Sequence, residues 1–378
     1  MNVISKLMTG AALVASASSY AQGSYGDCCP PAPCGTPTEC CDNGFSVHAD
    51  YLLWQMQEDG LQYAETFNVF ADATAPNGIS ARVPGFIYEP DAEWNSGFRI
   101  GAGYKVPCTC WDLAADWTWY RNDSSSSTCA SEVNVVPTAT ILWLADEASL
   151  IAVGTETATS LPSRAKQKHE LQYDVLDLTA GAKFCPCNGL EFRPFIGLRG
   201  AVIDQTQHVK YTHTLGPITV RKTNNFWGVG PRVGIDTNWA VGCGFSVISR
   251  AGTSLLCGQA DCDYHAAIKT STPQVDVQPD HEGNVVDFPA ENPFNVAESI
   301  KPRSEDRVRP CADLMLGLSW ETCYCQNTYV RVSLGYEVQY WWNQWMAPTS
   351  DFATTVNTSR VPGDLVLHGL DLSVGVSF

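Results

Sequence analysis

The sequence predicts an all-β protein: a transmembrane, antiparallel, up-and-down β-barrel of at least ten strands, with any even number from about ten to sixteen allowed. Three observations predict it. Apolar and polar side chains alternate with a period of two in segment after segment, short turns regularly follow long loops, and aromatic residues stand at both ends of the segments. The segment 366–378 shows the pattern most plainly. Val366, Leu370, Leu372, Val374, Val376 and Phe378 are apolar, while Gly369, Asp371, Ser373, Gly375 and Ser377 between them are small or polar. One face of such a strand suits lipid and the other water, and roughly 9 to 11 residues suffice to cross a bilayer at a tilt.

Taken in order, the chain opens with Lys6, a short apolar core over Leu7 to Ala17, and a small-x-small site at Ser19-Tyr20-Ala21. Residues 1–21 are read as a secretory signal peptide. Residues 22–44 form an arm in which Cys28, Cys29, Cys34, Cys40 and Cys41 are interspersed with Pro30, Pro31, Pro33 and Pro37. Proline forbids regular structure there, so the arm is expected to lie extended in the periplasm. The barrel is expected over residues 45–378.

Its first strand carries Phe45, Val47, Ala49, Tyr51 and Leu53 on one parity and ends near Trp54. Gln55 to Asn95 reads as a long loop with room for a local hairpin. Phe98, Ile100, Ala102 and Tyr104 then descend to Pro107-Cys108-Thr109-Cys110, and Trp111, Leu113, Ala115, Trp117 and Trp119 return. Asn122 to Lys168 is the second long loop. The grammar repeats with Leu176, Leu178, Ala180, Ala182 and Phe184, a turn at Cys185 to Gly189, and Leu190, Phe192, Ile196, Leu198 and Val202. A shorter polar loop over Asp204 to Asn224 could itself be a small hairpin. Trp227, Val229, Val233, Ile235 and Trp239 follow, with a tight turn at Asn238 to Gly242 before Val241, Cys243, Phe245 and Val247 return. Ala251 to Asp306 is the third long loop. Ala312 to Trp320, a turn at Cys323 to Asn327, Val330 to Trp342, a loop at Asn343 to Asp364 and the last strand complete about ten strands.

Aromatic placement is an independent check. Trp111, Phe184, Trp239 and Trp320 mark the turn ends, and Trp119, Trp227, Tyr340 and Trp342 the loop ends. From Trp227 to Trp239 a tilted strand rises about 30 Å, the separation of two membrane girdles. The competing reading places these aromatics in the core of a soluble sandwich.

Bulk composition agrees with export to a membrane. Hydrophobic residues make up 44% of the 378 residues, and no run approaches the roughly 18 apolar residues of a spanning helix. The net charge of -17 excludes a nucleic-acid partner, whose phosphates require a basic surface.

If the apolar parity faces lipid, the other parity lines the lumen with Arg99, Lys105, Asp112, Asp116, Asp177, Lys183, Glu191, Arg193, Arg199, Arg232, Asp236, Arg250, Asp313, Arg331, Glu337 and Asp371. A Lys or Arg on the lipid face at mid-bilayer costs about 2 to 4 kcal/mol, so these groups need water or one another. A hydrated channel with both signs on its wall is expected. The alternative is a lumen closed by mutual ion pairs or an inserted loop, and ten strands make a narrow barrel.

Sixteen cysteines in an exported chain favour disulfides. The pairs Cys108 and Cys110, Cys185 and Cys187, and Cys323 and Cys325 all fall on the expected periplasmic turns, the end at which the arm begins. Bonds between turns, to the arm, to neighbouring envelope proteins or to another copy are expected in preference to bonds within a pair. Zinc is the weaker reading, since metal sites prefer wider C-x2-C spacing. Cys257 and Cys262 are expected to staple an outer loop, and Cys129 and Cys311 likewise.

No metal, cofactor or catalytic set stands out. Gly228 to Gly234 lacks the spacing and following helix of a dinucleotide loop. His208 and His213 share a polar stretch with Asp204, but no nucleophile stands at matched spacing.

Tyr51-Leu52-Leu53-Trp54, the Trp-Gly-x-Gly-Pro-Arg core beginning at Trp227, and the terminal strand ending in Phe378 resemble the pore-forming major outer membrane proteins of Legionella and of chlamydia-like bacteria. The C-x-C turns and the cysteine-proline arm look closer to the chlamydia-like members. The resemblance spans most of the mature chain and implies an outer-membrane porin for small hydrophilic solutes, with cysteine cross-links stiffening the envelope. It carries over no catalytic or ligand residue. A structural or adhesive protein whose closed barrel serves as an anchor is the second reading.

Overall fold

The structure, a computed structural model, describes residues 44–70, 81–107, 109–129, 134–137, 164–187, 189–213, 216–269, 275–279, 285–289, 295–300, 304–325, 328–346, 348–350, 358–360 and 362–378. Residues 1–21, read as a signal peptide, and nearly all of the cysteine-proline stretch lie outside them. Ten staves form the wall: β1 (Gly44–Glu58), β2 (Trp94–Lys105), β3 (Trp111–Cys129), β4 (Arg164–Ala182), β5 (Leu190–His213), β6 (Gly216–Gly242), β7 (Phe245–Lys269), β8 (Glu305–Cys325), β9 (Thr328–Trp345) and β10 (Gly363–Ser377).

Each stave pairs antiparallel with its neighbour in sequence, and β10 pairs with β1 to close the ring at ten. At the seam the register runs Ala49 to Val374 and Tyr51 to Leu372, so apolar residues of both strands share the outer face. Phe45 and Phe378 exchange backbone hydrogen bonds of 2.8 and 2.9 Å, and their rings stack at 6.1 Å.

The outward parity is the expected one. Phe98, Ile100, Leu176, Leu198, Trp227, Val233, Leu318, Leu334, Leu372 and Val374 are all exposed, as lipid-facing residues must be. Trp119 and Trp227 stand at the upper edge of this band. Above it the outward residues turn polar: Gln55 and Gln57 on β1, Gln172 and Asp174 on β4, Asp204 on β5, and Asn225 and Thr223 on β6.

Three expected boundaries are corrected. The stretches read as loops over Asn122 to Lys168 and Ala251 to Asp306 begin and end as continuations of the staves, and the small hairpin allowed for Asp204 to Asn224 is present as the joined outer ends of β5 and β6, with Val209 opposite Val220 and Tyr211 opposite Ile218. Both faces of those extensions carry polar residues, so the two-residue signal of lipid is lost while the hydrogen-bonded ladder persists. The tight turn lies at Cys243 and Gly244 rather than at Asn238 to Gly242, because these two residues adopt φ of 52° and 81°, the left-handed pair that matches strand twist. The local hairpin expected after β1 is present: Ala64–Phe70 pairs with Ala81–Tyr88. One extra strand, Asn295–Ile300, pairs with the outer end of β7.

Candidate functional site: the filled lumen

The inward parity of the ten staves builds a stack of layers. Nearest the periplasm is a vestibule in which Arg193 Nε donates to both Asp112 oxygens at 2.8 and 2.9 Å and Nη1 donates to Asp236 at 2.7 Å. Arg250 reaches the other Asp236 oxygen at 2.8 Å. His48, on β1, lies 3.1 Å from Asp116. The Arg250 side chain is 33% exposed and His48 29%, so water enters from this end.

The next layer is sealed. Arg99 forks onto Glu337 at 2.8 Å and Asp371 at 3.0 Å, reaches Asp50 at 3.5 Å and donates to Thr118 at 3.0 Å. Arg199 holds Asp177 through two bonds of 2.6 Å and Asp313 at 3.2 Å. Arg232 grips Asp313 at 2.5 and 2.8 Å. Apart from Asp177, these side chains are no more than 6% exposed. Three guanidiniums thus face five carboxylates with almost no water. Desolvating so many charges is tolerable only because each guanidinium is shared between acids.

Above them, level with the outer girdle, lies an apolar plug of Leu52, Trp54, Met56, Tyr120, Tyr173, Phe226, Leu256, Trp341, Trp345, Leu365 and Leu367, all buried. Trp54 meets Tyr120 at 5.5 Å between centroids, and Tyr173 meets Trp341 edge-on at 5.9 Å. Tyr120 donates to the Trp54 carbonyl at 3.0 Å, which fixes the ring across the bore.

The chain itself closes the mouth. After β1, Gly60 at φ 87° turns the backbone inward, and Leu61 and Tyr63 become fully buried. Tyr63 and Ala64 pack with Val209, Tyr211, Ile218, Val220 and Tyr264 as an upper cap.

Between plug and cap, outside the membrane band, sits a polar layer. Glu58 accepts from Gln205 at 2.7 and 2.8 Å, and Asn224 links Gln205 at 2.9 Å to the Gln344 carbonyl at 2.8 Å. Burial pushes Glu58 up to about 8 against the bond from Gln205, and holds His169, 3.7 Å away, down to about 4. At neutral pH the two are therefore an uncharged pair.

A pH dependence follows. Between its ordinary 4.5 and about 8, Glu58 binds a proton in the folded chain that the unfolded chain has released. Its contribution to stability is full below that window and is lost as pH rises through it. The stability of the parent relative to Glu58→Gln is expected to fall by about 1.4 kcal/mol per pH unit across the window, as read from urea unfolding in lipid vesicles. A pH-independent difference would place Glu58 in water.

Of the residues expected to line a channel, Asp112, Asp116, Arg193, Asp236 and Arg250 face the water-accessible vestibule as ion pairs, and Arg99, Asp177, Arg199, Arg232, Asp313, Glu337 and Asp371 point into the sealed, paired layer. The others sit at the periplasmic rim. Lys183 pairs with Glu191 at 2.9 Å, Arg331 with Glu321 at 2.6 Å, and Lys105 ends β2 opposite Asp112. Asp50, His48 and Glu58 belong to the interior and were missed. Asp50 and His48 carry the same parity signal as the rest of β1.

The cysteines divide cleanly. Each of the four periplasmic turns carries cysteine, since Cys243 joins the three C-x-C pairs, and Cys185 and Cys243 are exposed there. Cys110 is disulfide-bonded. The arm cysteines and Cys108 lie outside the described residues. The expected staple between Cys257 and Cys262 is corrected: they point to opposite faces of β7, outward and inward, because five residues separate them on one strand. Cys129 and Cys311 do not staple either. Cys129 stands exposed at the outer end of β3, whereas Cys311 is buried at the sealed layer, 3.1 Å from Arg199. His208 and Asp204 lie on the outer face of β5, two rows apart, and do not converge on a pocket.

A family profile described as the Legionella pneumophila major outer membrane protein precursor matches residues 36–378. The chain belongs to that family. Membership and the barrel together place it in the outer membrane. No curated protein matches the chain.

Among solved structures, the outer membrane protease OmpT of Escherichia coli is 9% identical, with 89% of this chain and 97% of that one covered at a TM-score of 0.36. A FadL homologue of Pseudomonas aeruginosa is 12% identical, with 94% and 96% covered at 0.26. The toluene transporter TbuX of Ralstonia pickettii is 9% identical, with 94% and 95% covered at 0.25. These overlaps are loose, and the protease's chemistry and the transporter's cargo stay with those proteins.

Proposed function

We propose that this member of the family is a sealed outer-membrane barrel, an anchor that holds a raised collar of strands and loops on the cell exterior. One observation carries the reading. All ten staves contribute side chains to the ion-paired layer and the apolar plug, and nearly all of these are almost fully buried, so among the described residues no water path joins the two sides. In planar bilayers the purified, folded protein is expected to give no ion steps. Stable steps from the unaltered chain would remove the anchor reading in favour of the porin.

The porin reading, passage of small hydrophilic solutes, draws on the water-accessible vestibule around His48 and Arg250. It requires the Arg99 layer and the Trp54 to Trp341 plug to move aside together.

A cross-linked envelope is part of the proposal, supported by cysteine on every periplasmic turn and by the exposure of Cys185 and Cys243 there. Nonreducing electrophoresis of whole envelopes is expected to give high-mass species that dithiothreitol collapses to one band. A monomer under both conditions would remove this part.

A further inference from the structure

In a chain of net charge -17, one part of the outer surface is basic. The outward residues of β4, β5 and β6 above the membrane band fall in register as rows. Lys166 stands directly opposite Lys210. One row below, Lys168 stands opposite His208, His208 opposite Arg221, and Arg221 opposite His265 of β7. Arg164 tops the column on β4. All these side chains are exposed.

Like charges directly opposite each other weaken an antiparallel pair, so a sheet that keeps Lys166 facing Lys210 retains them at a cost. Lys168 is answered by Glu170 at 2.5 Å and, more loosely, by Asp123 at 3.8 Å. Lys166 and Lys210 have no acidic partner among the described residues, while Arg221 attracts Glu170 and stands one row from the exposed Asp263. Partial burial first, and then the neighbouring Arg221, holds His208 below its ordinary value against the pull of Glu170, with Lys168 adding to the lowering. The lower row is thus partly balanced by Glu170, and the facing Lys166 and Lys210 are left uncompensated.

Position identifies what would compensate them. Arg221 lies six residues above Trp227, and Lys210 eight above Val202, which puts the patch about 15 to 20 Å above the acyl boundary. That is above the lipid headgroups and within the sugar layer of an outer leaflet. With strands about 4.8 Å apart and alternate residues about 6.7 Å apart, the cations cover an area on the order of 10 by 13 Å. An anion-bearing oligosaccharide of two to four sugars, roughly, spans such an area.

We propose that this patch docks the phosphorylated core sugars of glycolipids standing beside the barrel in the same leaflet. Arginine and lysine over a flat sheet read such groups as separated anions, without a pocket. The contact would fix the collar in the sugar layer and neutralise the Lys166 and Lys210 repulsion.

The test uses the full chain folded in detergent, with purified lipopolysaccharide of phosphorylated core, the same glycolipid after phosphatase treatment, and a heparin fragment as probes. Binding of the intact glycolipid is expected to weaken at least tenfold in the triple variant Lys166→Gln, Lys210→Gln, Arg221→Gln, and to weaken similarly on dephosphorylation and in half-molar salt. Heat-modifiable mobility on gels reports folding. Should the triple variant fail to fold, Lys210→Gln alone, which relieves the facing charges, is expected to fold and to weaken binding severalfold. Unchanged binding in the variant that folds, or equal binding of the dephosphorylated glycolipid, would overturn the proposal. Binding of heparin without binding of the glycolipid would also overturn it, by assigning the patch to a soluble polyanion.

Discussion

Replacing Arg99 with alanine is expected to cost the folded barrel about 3 to 5 kcal/mol, the usual penalty for stranding buried charge. The substitution leaves Glu337, Asp371 and Asp50 facing one another with no cation between them. Arg99→Lys is expected to recover little, because a single ammonium cannot fork onto Glu337 while also holding Asp371. Adding Glu337→Gln to Arg99→Met is expected to recover part of the loss, since two acids rather than three are then left without a cation. Urea unfolding in vesicles reads the stability, and planar bilayers read whether the layer has become leaky. A loss below about 1 kcal/mol would mean that the three acids are hydrated rather than sealed.

Trp341→Ala is the second large effect. Trp341 is fully buried in the plug and presents its edge to Tyr173. Removing a buried indole costs about 3 to 5 kcal/mol, through lost burial and the void left behind. Here the void lies on the axis of the bore. The single variant is expected to destabilise without conducting, because Arg99, Arg199 and Arg232 still close the layer beneath. The double variant with Arg99→Ala is expected to show ion steps. Conduction by Trp341→Ala alone would mean that the ionic layer is not a barrier.

Much of this was legible in the sequence, for a physical reason. Where a stave touches lipid, every second residue must be apolar, and the parity of Phe98 to Tyr104 or Leu370 to Phe378 could be read directly. The same parity named Arg99, Arg199, Arg232 and Asp313 as inward. It could not say what they faced, because whether Arg99 meets water or Glu337 depends on partners up to 272 positions away in the chain. The outer parts of β3, β4 and β7 were taken for loops because strand hydrogen bonds leave no mark on composition where polar residues occupy both faces, whereas the alternation of Val209, Tyr211, Ile218 and Val220 did suggest the β5 to β6 hairpin. Trp54 was read as the end of a strand, whereas the strand continues to Glu58 and the ring turns into the bore. The Cys257 and Cys262 staple failed on parity, a test that needed only the knowledge that both residues lie on one strand.

The length of β5 and β6 has a consequence for how the molecule changes over time. The collar is stiff sheet, and its inward residues Val209, Tyr211, Val220 and Tyr264 are locked in the cap. Sequence change between relatives is therefore expected to register as a stutter, with every second codon of these staves free to vary outside the Lys166, Lys210 and Arg221 patch and its neighbours held still.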